Sequence, residues 1–142
     1  MKGTIIVIDG MGGGIGVELV TKIRELVVPG VELIALGANA VATERMVKAG
    51  AHRGASGENA VTVMAKKGDF ILGPVGIVIA DSMMGEITQG MARAVLEAPG
   101  ERILLPLEQE HFFIAGLESL PLSKMLDRAV ALLKERMAAR GL

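Results

Sequence analysis

Residues 7 to 16, VIDGMGGGIG, place five glycines between positions 10 and 16, directly behind an apolar run. Glycine loses more backbone freedom on folding than any other residue, so such a cluster implies that something approaches the backbone closely there. A bend of this kind leading into a helix leaves unpaired N–H groups and the positive end of the helix dipole facing outward. Phosphate is the natural ligand for such an end. The candidate binding residues here are Asp9, Gly10, Met11, Gly12, Gly13, Gly14, Ile15 and Gly16, with the N–H groups of residues 12 to 16 as phosphate donors. Asp9 sets a carboxylate beside that position. It repels phosphate unless it sits back, bonds to loop N–H groups or shares a cation.

A second polar cluster lies in GPVGIVIADSMMGEIT, residues 73 to 88. Gly73 and Pro74 end a strand, Gly76 permits close approach, and Asp81, Ser82 and Glu86 stand among apolar neighbours, the composition of a small-molecule pocket. Asp81 and Glu86 are the candidate catalytic acid and base; alternatively Asp81 or Ser82 caps the following helix. Gly37 and Asn39, in LGANA, and Ser56 and Asn59, in SGEN, complete the candidate binding set. Asn39 is placed to meet a ribose and Asn59 a base or ribose, while Ser56 also reads as the cap of a helix with Glu58 in its first turn. Met83 and Met84 read as adaptable packing or an oligomer contact. Glu108, Glu110 and His111 form only a weak metal cluster, His52 lies in a polar loop, and neither H-E-x-x-H nor G-x-S-x-G occurs, so no metal or nucleophile site is assigned.

The elements that position these groups follow from periodicity. TIIVI, residues 4 to 8, is a β-branched run suited to a strand buried on both faces. Ile15, Leu19, Val20, Ile23, Leu26 and Val27 recur at helical spacing up to Pro29-Gly30, and VELIAL, residues 31 to 36, is a second strand. Helices are expected at 40–49 and 58–67, linked by GAHRGASG. A third strand covers 70–72, a loop with a helical turn 76–80, a helix 87–98, strands 102–107 and 111–116, and the longest helix 121–139. That last helix is apolar along Leu122, Leu126, Ala129, Val130, Leu133 and Met137, a face to be covered by the sheet or by a second copy. The alternation implies an α/β, three-layer Rossmann-like domain with a mainly parallel sheet. In such sheets ligands sit beyond the carboxyl ends of the strands where strand order reverses, which is where the glycine bend belongs.

Composition narrows the function classes. At 142 residues one domain, 1–142, is expected. The absence of cysteine removes disulfides and thiol chemistry and fits a reducing cytoplasm. A net charge of -1 and three phenylalanines as the only aromatics argue against nucleic acid. No basic-then-apolar leader opens the chain, and the longest apolar tract, 70 to 80, is far short of the roughly 20 residues a bilayer requires.

Spacing separates the glycine motifs. G-x-G-x-x-G counted from Gly10 requires glycine where Ile15 stands, and no lysine follows Gly16 as the triphosphate loop requires. G-x-x-x-G-I-G does match at Gly10, Gly14, Ile15 and Gly16, and over this first strand–helix unit the chain resembles the short-chain dehydrogenases, which implies a dinucleotide such as NAD(P). The resemblance ends there. The chain has no tyrosine for the catalysis of those enzymes, Asp9 stands where they often have threonine, and Asn39 is the only polar group near the end of the second strand. The blocks IDGMGGGIG, ALGANAVAT, MVKAGA, GASGENAV, GPVGIVIADSMMGEIT and ILLPL together resemble a small bacterial family known only as a domain of unknown function. This likeness spans nearly the whole chain and implies a compact Rossmann-like domain.

These readings converge on a module that binds a phosphorylated nucleotide, NAD(P) or another adenine nucleotide, with catalysis left open. The alternatives are a non-catalytic nucleotide sensor or regulatory oligomer, and a structural oligomer without ligand. A homodimer or higher homo-oligomer in the cytoplasm is expected, without nucleic-acid or membrane partners.

Overall fold

The computed structural model describes residues 3–107 and 113–142. Five parallel strands, β1 (Gly3–Asp9), β2 (Val31–Gly37), β3 (Arg53–Ser56), β4 (Phe70–Pro74) and β5 (Glu101–Leu105), lie in the order β3-β2-β1-β4-β5. They alternate with α1 (Gly14–Arg24), α2 (Ala40–Ala49), α3 (Glu58–Met64), α4 (Gln89–Glu97) and α5 (Leu122–Ala139). The fold is the three-layer Rossmann-like α/β architecture, and its sheet is parallel throughout. Ile5 of β1 pairs with Leu33 on one side and Phe70 on the other. Strand order therefore reverses between β1 and β4, whose carboxyl ends lie side by side.

The pleat sorts the core into two. Ile5 and Val7 pack with Leu19, Ile23, Met46, Leu126 and Leu133, so α1, α2 and α5 cover one face. Ile6 and Ile8 pack with Val61, Met91 and Val95 beneath α3 and α4. The apolar stripe of α5 is thus covered by the sheet through Leu126, Ala129, Leu133 and Met137, while Leu122 is exposed. Arg140 closes the end of α5 by pairing with Asp69 and lying 5.2 Å from the centre of the Phe70 ring.

Several elements differ from the sequence expectation. The linker GAHRGASG contains β3, which pairs Arg53 with Ile34 and Ser56 with Gly37. As an edge strand it is bonded on one side only and largely exposed, so it carries no apolar alternation. Ser56 does not cap α3: Gly57, at φ 93°, precedes the helix, and the Ser56 hydroxyl meets that of Thr43 at 2.7 Å. The helix over 58–67 divides into α3 and a tighter 3₁₀ turn, Ala65–Lys67, and α1 stops at Arg24, before Leu26. The helical turn beside the strand tips is a 3₁₀ turn, Val75–Val78. Of the strand expected over 111–116, residues 113–116 form none. Residues 111 and 112, and with them the Glu108, Glu110 and His111 cluster, lie outside the described residues.

The cap of α4 is neither Asp81 nor Ser82 but Thr88. Its hydroxyl oxygen accepts the Met91 N–H at 3.1 Å and its O–H donates to Glu58 of α3. Thr88→Ala is expected to destabilise the fold by about 1 kcal/mol, lowering the melting temperature by roughly 4 °C. An unmoved thermal transition would show that the cap contributes nothing.

Candidate functional site

β1 delivers Asp9 to the carboxyl edge of the sheet, and the chain turns over residues 10 to 13 into α1. Met11 takes a left-handed conformation, φ 52°, and so does Gly13, φ 73°. The Gly13 N–H donates to the Gly10 carbonyl at 2.8 Å, and its own carbonyl accepts the Val17 N–H. Two glycines of the bend are explained by packing. A Cβ on Gly13 would lie 3.0 Å from the backbone of Ala42, and one on Gly16 would lie 2.4 Å from Met46 Sδ. They let α1 sit against α2. At Gly12 an added Cβ approaches only the Arg45 guanidinium, at 3.4 Å, and at Gly14 it meets nothing within 4 Å.

Asp9 is buried and its carboxylate accepts the N–H groups of Gly10 at 2.8 Å and Gly16 at 2.7 Å. Burial pushes its pKa above the ordinary carboxylate value and the nearby Glu86 charge adds to this, while the bonds from Gly16, Gly10 and Ile15 pull it down. Asp9 therefore takes the loop N–H bonds that a carboxylate here requires. The Gly12 and Gly14 amides have no partner among the described residues. Arg45, on α2, donates to the Gly12 carbonyl and brings a cation to the bend.

Glu86 reaches the other side of the bend. It accepts the Met11 N–H at 2.5 Å and, through both oxygens, the Asn39 amide at 3.0 and 3.1 Å. Asn39 also donates to the Met11 carbonyl at 2.8 Å and caps α2 by accepting the Ala42 N–H at 2.9 Å. Glu86 follows a segment in which Asp81 (φ 66°), Met83 (56°), Met84 (58°) and Gly85 (86°) are all left-handed. Such a conformation costs a non-glycine residue about 1–2 kcal/mol, and clusters of it are typical of functional segments. It is held by backbone bonds from Asp81 to Ile87 and from Gly85 to Asp81, and by the Ser82 hydroxyl donating to the Gly76 carbonyl at 2.5 Å.

Between these parts lies a cavity of about 540 Å³ at the point where strand order reverses, within the range of ligand sites. Its walls include residues 9 to 15, Pro74 and Gly76 from the sequence-derived set, joined by Glu18, Met83, Leu107 and Leu122. Gly16 lies beneath the bend. Gly73 is packed into β4, where a Cβ would lie 2.4 Å from the Ile8 carbonyl, and Gly37 is packed against Thr43. Asn39 and Glu86 meet each other beside Met11, Ser82 serves Gly76, and Asp81 is exposed. Ser56 and Asn59 lie at the edge strand and the start of α3 and do not line the cavity. Sequence reasoning missed Arg45 and Glu18. Glu18 was within reach, since it lies one helical turn beyond Gly14. Nothing local marked Arg45.

Among the described residues no three His, Asp or Glu side chains gather to hold a metal ion, and no helix is long and apolar enough to cross a membrane.

The family described as Domain of unknown function (DUF3842) matches residues 4–138. No curated protein matches the sequence. Among solved structures the chain is similar to an FMN-dependent UbiX-like decarboxylase from Escherichia coli O157:H7, whose crystal structure is dodecameric. That similarity has 16% identity and a TM-score of 0.49, and covers 95% of this chain and 94% of that one. It is also similar to a nucleoside-diphosphate-sugar epimerase from Pseudomonas aeruginosa. There the identity is 15% and the TM-score 0.43, over 96% of this chain and 47% of the other, so it spans about half the epimerase's length.

Proposed function

The chain belongs to the DUF3842 family, and we propose that its crevice binds a phosphorylated nucleotide at the glycine bend. The observation that carries this reading is the cavity of about 540 Å³ whose wall is the backbone of residues 9 to 15, with the Gly12 and Gly14 amides unpartnered and the start of α1 beside them. Phosphate is drawn to such amides by direct hydrogen bonds and by the helix dipole, and Arg45 adds a cation. The spacing of Gly10, Gly14 and Gly16 supports NAD(P) or another adenine nucleotide within this class. Residues 1–142 would then form one nucleotide-binding domain of a cytoplasmic homo-oligomer.

One observation favours the sensor over the enzyme. Both oxygens of Glu86, the candidate base, are engaged by Asn39, and one also accepts the Met11 N–H, so this carboxylate organises the bend.

The chain's composition provides the test. With no Trp, Tyr or Cys, the purified protein is nearly transparent at 280 nm. A copurified nucleotide would dominate the near-ultraviolet spectrum, and mass spectrometry of the released ligand would identify it. A stoichiometric nucleotide is the expected result. A blank spectrum, together with no rise in melting temperature on adding nucleotides, would overturn the reading.

A further inference from the structure

We propose that Glu86 is a specificity-determining residue that closes the β2 side of the crevice, so that the site takes a mononucleotide and excludes a dinucleotide. The inference rests on the nucleotide reading above and narrows it. A dinucleotide in a parallel sheet of this kind lies across the reversal point, with one nucleoside on each side and a ribose held near the end of the second strand. Here that second-strand side is filled. Glu86 bridges Met11 and Asn39 by three hydrogen bonds, and it lies so close over the bend that a Cβ on Gly10 would be 2.5 Å from Glu86 Oε1. The Asn39 amide, the group best placed to hold a ribose there, is committed to Glu86 and to the Met11 carbonyl.

Space opens the other way. The cavity continues past Pro74 and Met83 to Leu107 and Leu122. Those two leucines are shared with an adjoining apolar hollow of about 280 Å³ that also includes Phe113 and Met125. A ligand with a single phosphate on the Gly12 and Gly14 amides and an apolar ring system lying toward β5 and α5 fits this shape. A pyrophosphate would bring more negative charge beside Asp9 and Glu86, and its second nucleoside would have to displace Glu86. The segment that carries Glu86 is set in place by its own backbone bonds, from Asp81 to Ile87 and from Glu86 to Met83, so the gate is part of the fold.

The test is calorimetric titration of AMP, FMN and NADH into the wild-type protein, Glu86→Ala and Glu86→Gln, with thermal unfolding as the folding control. The wild type is expected to bind AMP or FMN at least about tenfold more tightly than NADH, about 1.4 kcal/mol. Glu86→Ala should bring NADH to within about twofold of the preferred mononucleotide. Glu86→Gln keeps the shape and an acceptor oxygen, and should retain the preference. NADH binding as tightly as the mononucleotides in the wild type would overturn the inference and leave the nucleotide reading standing, and that comparison decides even if Glu86→Ala does not fold. A preference that survives in a folded Glu86→Ala would also overturn it. Binding of none of the three to any variant would remove the nucleotide reading itself.

Discussion

Asp9→Ala is expected to destabilise the protein by about 2 kcal/mol, because it leaves the Gly10 and Gly16 amides without their acceptor. For a chain of this size that lowers the melting temperature by roughly 8 °C. Each unmade buried bond costs about 1–3 kcal/mol, and release of a desolvated carboxylate offsets part of the sum. The same residue gives stability a pH dependence of definite sign. Burial raises the Asp9 pKa above its ordinary value of 3.8, so the folded protein keeps a proton that the unfolded chain has already released. The stability arising from that difference is complete below about pH 3.8 and is lost as pH rises through the folded-state value. Asp9→Asn abolishes the titration. The stability of the wild type relative to the Asn variant should therefore fall as pH rises from about 3.8 and level off above the folded pKa. Chemical unfolding at a series of pH values measures this, and a flat difference would refute burial as the dominant influence.

Gly14→Ala is expected to separate binding from folding. Gly14 lines the cavity, and a Cβ there meets nothing within 4 Å. As the first residue of α1, alanine is also the better helix former, by up to about 1 kcal/mol. The melting temperature should stay level or rise slightly. A ligand phosphate would be pushed off the Gly14 amide, losing a charge-assisted bond of about 1.5–3 kcal/mol and therefore about 10- to 100-fold in affinity. Titration of the best-binding mononucleotide into both proteins, alongside thermal unfolding, gives the two readouts. Unchanged affinity would mean that the bend is not where phosphate sits. Gly13→Ala is not an equivalent probe, because its φ of 73° and the nearby Ala42 backbone strain the fold itself.

The sequence disclosed the elements that are buried on both sides or amphipathic. TIIVI and VELIAL are apolar except at Thr4 and Glu32, near the strand starts, because both faces of their strands are otherwise covered, and α2 matched its expected limits because Asn39 and Gly50 bracket it. β3 was illegible: Arg53, Gly54 and Ser56 are exposed, and the strand exists only because β2 offers an open edge. Phe113 and Ile114 misled in the opposite direction, since an apolar run reads as a strand whether or not a partner is available; Phe113 is 94% exposed. The glycine bend alone marked the place where the structure has a cavity. The wiring of the bend was not legible, because positions 11, 39 and 86 are joined by topology and no local pattern pairs a carboxylate with an amide 47 residues away. The four left-handed residues of 81–85 were equally hidden, two of them being methionines, a residue type that rarely adopts that conformation.

The seam between β1 and β4 has a kinetic consequence. No two neighbouring strands form a hairpin, and most pairings are closed by a single helix, but the seam joins Ile5 to Phe70. The entropy of closing a loop grows with its span, and distant parallel pairing is slow. The pairings within β1-α1-β2-α2-β3 and within β4-α4-β5 each lie on one stretch of chain, whereas the seam joins the two stretches. The cavity straddles it, with the glycine bend on one lip and Pro74 and Gly76 on the other. The cavity therefore needs both halves of the sheet in place, and a ligand bound there would act as a rivet through the seam, favouring the completed molecule by mass action.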